Sequence, residues 1–466
     1  MRTLIHGGLV VNSTQAIVAD VLIEGENVVG VVSPGHELST TFAQTANLVI
    51  DATGKYVIPG GIDAHTHLQS VGQGTYVPDT FETGTRAAAI GGTTTIVDFA
   101  SPKPNESMRS AVESHFETAK GNCSVDFGFH VFSVGASTSS LSDMDALIDE
   151  GVSSFKMFMA YPGSLYSNDG EILQVMQRAA LNGGLVMMHA ENGIAIDVLR
   201  DQAVARGETT PRFHAKTRPS ILEAEAINRA SVFAEIANVP LYIVHLSSEE
   251  ALRALVKARL SGRNVFAETC PQYLFLDDSY LDGDPVQAAN YVCSPPLRPK
   301  SHQAAMWRGL AVDDLQIVAT DHCPFCTWQR EVGRDDFRII PNGLPGIEHR
   351  VEQMFSGVIS GYISLTRWVD IVSTAPAKML GMFPTKGSIS PGSNADIVIF
   401  DPHKKHVISA TTHNMNVDFS VYEGTQLTGK VETVFLRGSR VVDNSQYVGS
   451  KSNGRFVKRG LCQHIK

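Results

Sequence analysis

The stretch VIPGGIDAHTHLQS, residues 57 to 70, sets a short apolar run before two glycines and then presents His65 and His67 one residue apart. If this run is a β-strand that ends just after Asp63, both imidazoles project from its C-terminal end towards one point. Two neutral imidazole nitrogens suit a borderline divalent metal ion. An isolated H-x-H also occurs by chance, so the metal hypothesis depends on further ligands downstream.

Short apolar runs of strand type recur after this stretch, and segments with helical features separate them. The eight runs are YVIPGGID (56–63), TTTIVDF (93–99), DFGFHVF (126–132), SSFKMF (153–158), GLVMMH (184–189), PLYIVH (240–245), NVFAET (264–269) and LQIVATD (315–321). The helical segment after the first run offers a capping box from Asp79 to Glu82. Strands that alternate with helices indicate a parallel sheet, and eight such units close a barrel. The sequence therefore predicts an α/β fold with a (β/α)₈ TIM-like barrel over residues 56–384.

The two ends of the chain have a different texture. Residues 1–55 and 385–445 contain strand-like runs between glycine, asparagine and proline, and we expect no helix of any length in the first segment. These separated segments are predicted to fold together into one small β-sandwich domain. The C-terminal tail, residues 446–466, holds a run of basic residues and is expected to be a solvated or subunit-contacting end.

Composition excludes several classes of partner. The formal net charge of −10 argues against binding to nucleic acid or to an anionic membrane, since either needs a basic surface. No window approaches ~18 uninterrupted apolar residues, and the N-terminus lacks the features of a secretory signal. Six scattered cysteines are too few for a disulfide scaffold in a chain of 466 residues. We therefore expect a cytoplasmic protein that acts on a small molecule.

Candidate metal ligands stand at the ends of the predicted barrel strands, where this architecture gathers its functional groups. They are His65 and His67 after the first strand, Lys156 in the fourth, His189 in the fifth, His245 in the sixth and Asp321 in the eighth. A lone buried histidine is more often a hydrogen-bonded core residue, and we expect His130 to be one. Together, however, the six side chains indicate a metal centre.

Lys156 is the unusual member of this set. Its ammonium, within SFKMFMAY, would be buried among apolar side chains and beside metal cations, which makes its charge costly. Either its pKa falls and it acts as a neutral amine, or it is converted chemically into an anion able to bridge two metals.

The H-T-H after GGID and the motifs FKMFMAY, HAEN, VHLSS, CSPPLR and TDHCPF resemble the cyclic amidohydrolases, specifically the dihydropyrimidinase and D-hydantoinase family. The resemblance spans essentially the whole chain. It implies that carbon dioxide carboxylates Lys156 to a carbamate that bridges two metal ions, usually zinc. It also implies that His65, His67 and Asp321 hold one ion and that His189 and His245 hold the other.

The same resemblance implies an activity, which is the opening of the cyclic amide of hydantoins or 5,6-dihydropyrimidines to N-carbamoyl amino acids by a homotetramer. Asp321 would carry the proton from the attacking water to the leaving nitrogen, and the Tyr161 hydroxyl would stabilise the oxyanion. Ser294 and Asn342 match positions whose backbone groups contact the cyclic ureide.

Three alternatives bear on this activity. Dihydroorotase characteristically has an arginine two residues after the H-x-H, where this chain has Gln69. An allantoinase-like activity stays open, because allantoinases share the metal ligands. Metal-free scaffold proteins related to dihydropyrimidinase are expected to have lost ligands, whereas this chain keeps all six.

Two residues close to Asp321 in the sequence are interpreted as incidental: His322 should point away from the site, and Cys326 completes a C-x-x-C that lacks a second ligand pair.

Overall fold

Eight parallel strands form the centre of the protein in the computed structural model, which describes residues 1–464. The strands, here called barrel strands one to eight, are Gly61–Thr66, Thr93–Ala100, Asp126–Phe132, Ser154–Phe158, Leu185–His189, Leu241–Ile243, Val265–Thr269 and Ile317–Val318. They are hydrogen-bonded in chain order around the sheet. A parallel bridge between Thr66 and His322 links the segment after strand eight to strand one. The predicted α/β barrel is confirmed.

The predicted first strand, residues 56–63, is two strands that belong to different sheets. Tyr56–Pro59 pairs with strands from both chain ends, and barrel strand one begins only at Gly61. The chain passes between the sheets at Gly60, where an added Cβ would lie 2.1 Å from the Thr94 hydroxyl oxygen. The expectation that regular structure ends at Asp63 is also wrong, because barrel strand one continues to Thr66, which pairs with Asp98.

The two chain ends fold together, as the sequence predicts, and their strands within residues 1–464 form a second sheet of nine strands, while the expected sandwich of two packed layers stays a prediction. Its strands are Arg2–Val11, Ala16–Glu24, Asn27–Val32, Leu48–Asp51, Tyr56–Pro59, Ile397–Val407, Gln426–Leu436, Ser439–Asp443 and Gln446–Tyr447. A two-stranded hairpin, Val71–Gly72 with Thr75–Tyr76, stands apart from both sheets.

The N-terminal segment contains a helix, Glu37–Thr45, which contradicts the expectation of none. Only Ser39 of this helix is buried, and its hydroxyl donates to the buried Asp20 carboxylate at 2.5 Å. A polar tertiary contact between Ser39 and Asp20 therefore joins this helix to the strand Ala16–Glu24.

Helices follow the barrel strands as predicted. The α-helices after residue 80 are Phe81–Ile90, Met108–Ala119, Thr138–Asp149, Asp169–Asn182, Gly193–Ala205, Arg212–Lys216, Ser220–Ala237, Glu249–Leu260, Pro271–Phe275, Pro285–Ala289, Gln303–Ala311, Thr327–Glu331, Arg350–Ile359, Leu365–Val369 and Ala375–Met379. Within residues 1–464, none of the helices is both long enough and apolar enough to cross a membrane.

The capping box of the first of these helices lies one residue later than predicted. Thr80 is the N-cap, and it exchanges hydrogen bonds with Thr83. Asp79 is instead fully buried and accepts from His322 Nε2 at 3.1 Å and from the backbone N–H of Asn416 at 2.8 Å. The Asp79 carboxylate therefore bonds to residues distant in the sequence and does not cap the helix as the local pattern predicted.

Part of the C-terminal tail packs against the barrel, so the expectation of a solvated end is wrong for Arg459 and Cys462, which are buried, while the expected subunit contact stays a prediction. Backbone hydrogen bonds join Arg455 and Val457 to Phe127 in barrel strand three. Arg459 is only 3% exposed, and its Nη2 donates to the Phe129 carbonyl at 2.5 Å and to the Ser154 hydroxyl at 2.8 Å. The basic residues of the tail indicated contact with solvent, but apolar residues stand between them, and this mixture did not predict packing against the barrel.

Candidate metal centre

Three of the predicted ligands converge at the mouth of the barrel. Asp321 Oδ1 lies 3.0 Å from His65 Nε2 and 3.2 Å from His67 Nε2, and the two imidazole nitrogens are 3.2 Å apart. Ligand atoms about 2.0 to 2.2 Å from a zinc ion in a tetrahedral site stand about 3.3 Å from one another. The triangle formed by these three atoms therefore has dimensions suited to one metal ion.

Lys156 joins this triangle from barrel strand four. Its Nζ lies 3.0 Å from His65 Nε2 and 4.4 Å from the centre of the Phe99 ring. The side chain is 2% exposed, and burial lowers the pKa of Lys156 to about 8. Both sequence-based alternatives, a neutral amine and a chemically converted anion, are consistent with this environment.

His189 and His245 lie beside the triangle, with ring centroids 4.6 Å apart. The His245 ring is 5.5 Å from that of His65. Burial lowers the pKa of both His189 and His245, which favours the neutral form that binds metals. His245 Nδ1 is buried and has no hydrogen-bond partner within residues 1–464.

Burial alone would raise the pKa of the Asp321 carboxyl, but while no ion is bound the charge of protonated His65 and the hydrogen bonds that His65 and His67 donate outweigh it. The pKa of Asp321 is therefore held well below its usual range. An ionised carboxylate is the form that binds a metal ion.

Three residues at this mouth have a strained backbone. Tyr161, His245 and Asp321 have φ values of +63°, +41° and +51°, in the left-handed region that non-glycine residues seldom adopt. Such strain persists where the surrounding structure imposes it, and it clusters at functional sites.

A cavity of about 490 Å³ opens above the candidate ligands. The predicted residues on its wall are His67, Lys156, Tyr161, His189, His245, Ser294, Asp321 and Asn342, while His65 is fully buried beneath. The Tyr161 ring is 5.1 Å from that of His189. The structure thus brings every predicted site residue to one place.

Both backbone polar groups of Asn342 already have a partner. Its N–H donates to Gln73 Oε1 at 2.7 Å, and its carbonyl accepts from Gln73 Nε2 at 3.1 Å. Gln73 belongs to the hairpin at the cavity mouth, next to Gly72. A substrate that accepts from the Asn342 N–H therefore has to displace the Gln73 amide oxygen, whereas the Asn342 carbonyl can accept a second hydrogen bond.

Sequence reasoning missed two acidic residues that contact the candidate ligands and one arginine that pairs with one of these acids. Glu268 in barrel strand seven bonds to His65 Nδ1. Glu191 accepts from His189 Nε2 at 2.7 Å, and Arg218 pairs with Glu191 at 3.2 Å. An acidic residue inside an apolar strand and the glutamate of HAEN were visible signals, but only the fold shows which histidine each one contacts.

Two histidines lie where the sequence placed them, outside the ligand set. His130 is a buried core residue whose Nδ1 pairs with the Ser154 hydroxyl at 2.5 Å and whose Nε2 donates to the Ala64 carbonyl at 3.0 Å. His322 turns away to Asp79 and accepts from the Gly346 N–H at 3.1 Å.

The donor set fits a metal centre. Imidazole nitrogens and carboxylate oxygens with closely spaced lone pairs repel one another unless a proton or a cation lies between them. The ligand atoms of His65, His67 and Asp321 lie this close together, and His245 Nδ1 has no hydrogen-bond partner among the described residues. Both observations fit a site that holds a cation.

An α/β barrel that presents such donors at the C-terminal ends of its strands has the architecture of a metal-dependent barrel enzyme. Residues 56–441 match the amidohydrolase family. The chain is 55% identical over 465 residues to a D-hydantoinase of Streptomyces coelicolor, covering 100% of this chain and 99% of the relative. This protein is therefore a member of the amidohydrolase family.

One further sequence relative and one solved structure are also similar to this chain over most of its length. A dihydropyrimidinase of Arabidopsis thaliana is 40% identical, with 98% of this chain and 85% of the relative covered. The crystal structure of a dihydropyrimidinase from Brevibacillus agri superposes with a TM-score of 0.96 at 46% identity, over 99% of both chains. Relatives named D-hydantoinase or dihydropyrimidinase thus match nearly the full length of this chain.

Proposed function

We propose that the protein opens the cyclic amide of hydantoins or 5,6-dihydropyrimidines to give N-carbamoyl amino acids. The convergence of His65 Nε2, His67 Nε2 and Asp321 Oδ1 within 3.2 Å of one another, beside a cavity of about 490 Å³, carries the proposal. The full-length similarity to a D-hydantoinase and a dihydropyrimidinase supports the substrate class.

The cofactors in this proposal are two divalent metal ions, with zinc as the expected element. His65, His67 and Asp321 would hold one ion, His189 and His245 the other, and Lys156 would bridge them as a carbamate. In forming that carbamate, the neutral amine attacks carbon dioxide and releases a proton. Bound ions would lower the pKa of a water molecule and polarise the scissile carbonyl.

Asp321 is the proposed proton carrier. Its side chain is 13% exposed, so its carboxylate reaches the cavity while staying within 3.2 Å of two histidines. It would accept a proton from the attacking water and deliver it to the ring nitrogen as the C–N bond breaks.

Tyr161 is the proposed donor to the oxyanion of the tetrahedral intermediate. Burial raises the pKa of its phenol, and the hydroxyl therefore keeps its proton at neutral pH. A protonated hydroxyl on the cavity wall can donate a hydrogen bond to the charge that develops on the carbonyl oxygen. Ser294, with its hydroxyl 3.3 Å from His214 Nε2, and Asn342 are the proposed contacts to the remainder of the ring.

The cavity favours a substrate without a carboxylate. Among the described residues, its wall includes one cationic side chain, Lys156, which the metal centre uses. Gln69, at the position of the dihydroorotase arginine, accepts from the backbone N–H of Phe81 at 3.4 Å and is absent from the wall. These observations support an uncharged cyclic ureide over dihydroorotate.

A substrate panel with zinc-loaded protein tests this proposal. We expect turnover of a 5-substituted hydantoin and of dihydrouracil, with the N-carbamoyl amino acid as product, and little turnover of dihydroorotate. Hydrolysis of allantoin alone would establish the allantoinase-like alternative.

We also infer that the protein is a cytoplasmic homotetramer. The family resemblance supports the tetramer, and the six cysteines, which are all free in the structure, support a cytoplasmic location.

A further inference from the structure

Glu268 is a fully buried carboxylate inside the barrel. It contacts His65 Nδ1 through Oε1, and the same oxygen accepts from the backbone N–H of His245 at 3.2 Å. The Tyr242 hydroxyl, also fully buried, donates to Oε2 at 2.6 Å. Both carboxylate oxygens are therefore held in place.

The charge of Glu268 faces the metal centre. Within residues 1–464, its one ion-pair partner is His65, and no lysine or arginine pairs with it. By contrast Glu191, which contacts His189, is paired with Arg218. A buried carboxylate without a cation costs free energy, so the charge of Glu268 is compensated through the His65 side of the site.

We propose that Glu268 is a positioning residue for His65, and that Tyr242 in turn positions Glu268. An imidazole that donates from Nδ1 to a carboxylate carries its lone pair on Nε2. In this structure Nε2 is the atom of His65 that faces His67 and Asp321. Glu268 thus selects the tautomer and the ring orientation in which His65 can hold an ion.

This inference rests on the proposed function, because it assumes that His65 binds a metal ion. It adds a residue that is absent from the six-member ligand set and a strand, barrel strand seven, that supplies none of those ligands. It also gives Tyr242 a role, since the loss of its hydroxyl would free one oxygen of the carboxylate to rotate.

Zinc affinity measured on chelator-treated, full-length protein tests the inference. We expect Glu268→Gln to bind one zinc equivalent about 10- to 100-fold more weakly than wild type, the usual effect of losing a group that orients a metal ligand. Tyr242→Phe, which keeps the carboxylate, should show a smaller loss in the same direction. Tyr422→Phe removes another buried phenol, one directed towards Gln353, and should bind zinc like wild type.

The melting temperature of each zinc-free variant separates positioning from a structural role. A structural role would lower the melting temperature and leave zinc affinity unchanged, and this result would overturn the inference. If Glu268→Gln fails to fold, Tyr242→Phe decides the question by its zinc affinity alone. Wild-type protein that binds no zinc would overturn the proposed function as well, whereas normal zinc binding by both variants would overturn the inference alone.

Discussion

Lys156 Nζ lies 3.0 Å from His65 Nε2, in a position where the rings of Phe99, Phe132 and Phe158 surround the amine. A lysine this deeply buried cannot serve solubility or a surface ion pair. Its amine lies beside His65, one of the ligands proposed for the first ion, and the proposed bridge requires it to reach the second ion as well.

Lys156→Ala should abolish nearly all hydantoin turnover and lower the zinc content, because the bridge between the two ions is lost. Short-chain carboxylic acids should restore part of the activity, since a carboxylate can occupy the place of the carbamate. Zinc content by elemental analysis and turnover with and without added acid check this. Wild-type zinc content and turnover in the variant would show that Lys156 has no bridging role.

Asp321→Asn should lower turnover by at least ~10²-fold, a typical effect of losing an acid/base group. The circular dichroism spectrum should match wild type, because asparagine has nearly the same shape. Asp313→Asn, at a carboxylate that is 58% exposed, is the matched control and should leave turnover unchanged. Near wild-type turnover in Asp321→Asn would remove Asp321 from the reaction.

Arg459 gives a prediction about stability. Burial lowers the pKa of Arg459 to about 9, and its Nε and Nη1 have no hydrogen-bond partner within residues 1–464. Arg459→Ala should reduce the free energy of unfolding by about 2 kcal/mol, since it leaves a cavity under the barrel. Arg459→Met should recover most of this loss, because it fills the space without burying an uncompensated charge.

Denaturant unfolding of the zinc-free variants measures the effect of Arg459. Arg455→Ala is the control from the same tail, at a side chain that is 63% exposed and pairs with Glu26. It should unfold like wild type. Equal stability of Arg459→Ala and wild type would mean that the tail does not stabilise the barrel.

Glu348 gives a prediction about pH. Burial raises the pKa of this carboxyl from 4.5 to about 7, although Asn414 donates to it from both its backbone and side chain. The folded state therefore holds a proton that the unfolded state loses between these values. The contribution of Glu348 to stability is present below pH 4.5 and is lost as pH rises through 7.

Glu348→Gln removes this dependence and should be more stable than wild type above pH 7, by at most about 3 kcal/mol. The difference should shrink towards pH 5. Unfolding curves at both pH values check it, with the half-exposed Glu331→Gln as control. A difference that does not vary with pH would contradict the raised pKa of Glu348.

The barrel and the convergence of the candidate ligands were predictable because parallel strands place their C-terminal ends on one side. Once eight runs are assigned, His65, His189 and Asp321 have to meet, although they are far apart in the chain. What failed depends on partners that no local pattern encodes. Asp79 pairs with His322 and does not cap the helix as predicted. The run that begins at Tyr56 belongs to two sheets, and the chain passes from one to the other at Gly60.

Glu268 marks the limit of prediction for the site. The sequence shows an acid within the apolar run NVFAET, and its inward direction follows from strand alternation. That it reaches Nδ1 of His65, which lies on a strand that is not a sequence neighbour, required the closed barrel. Electrostatic partners across a barrel depend on the register of all strands, which composition and periodicity do not determine.

The dependence of ring opening on a metal ion is tested by the hydrolysis of a 5-substituted hydantoin by chelator-treated protein, before and after zinc and bicarbonate are restored. We expect no detectable ring opening by the treated protein and recovery of N-carbamoyl amino acid formation only when zinc is restored. Full activity in the treated protein, or no activity with zinc and bicarbonate present, would contradict this expectation.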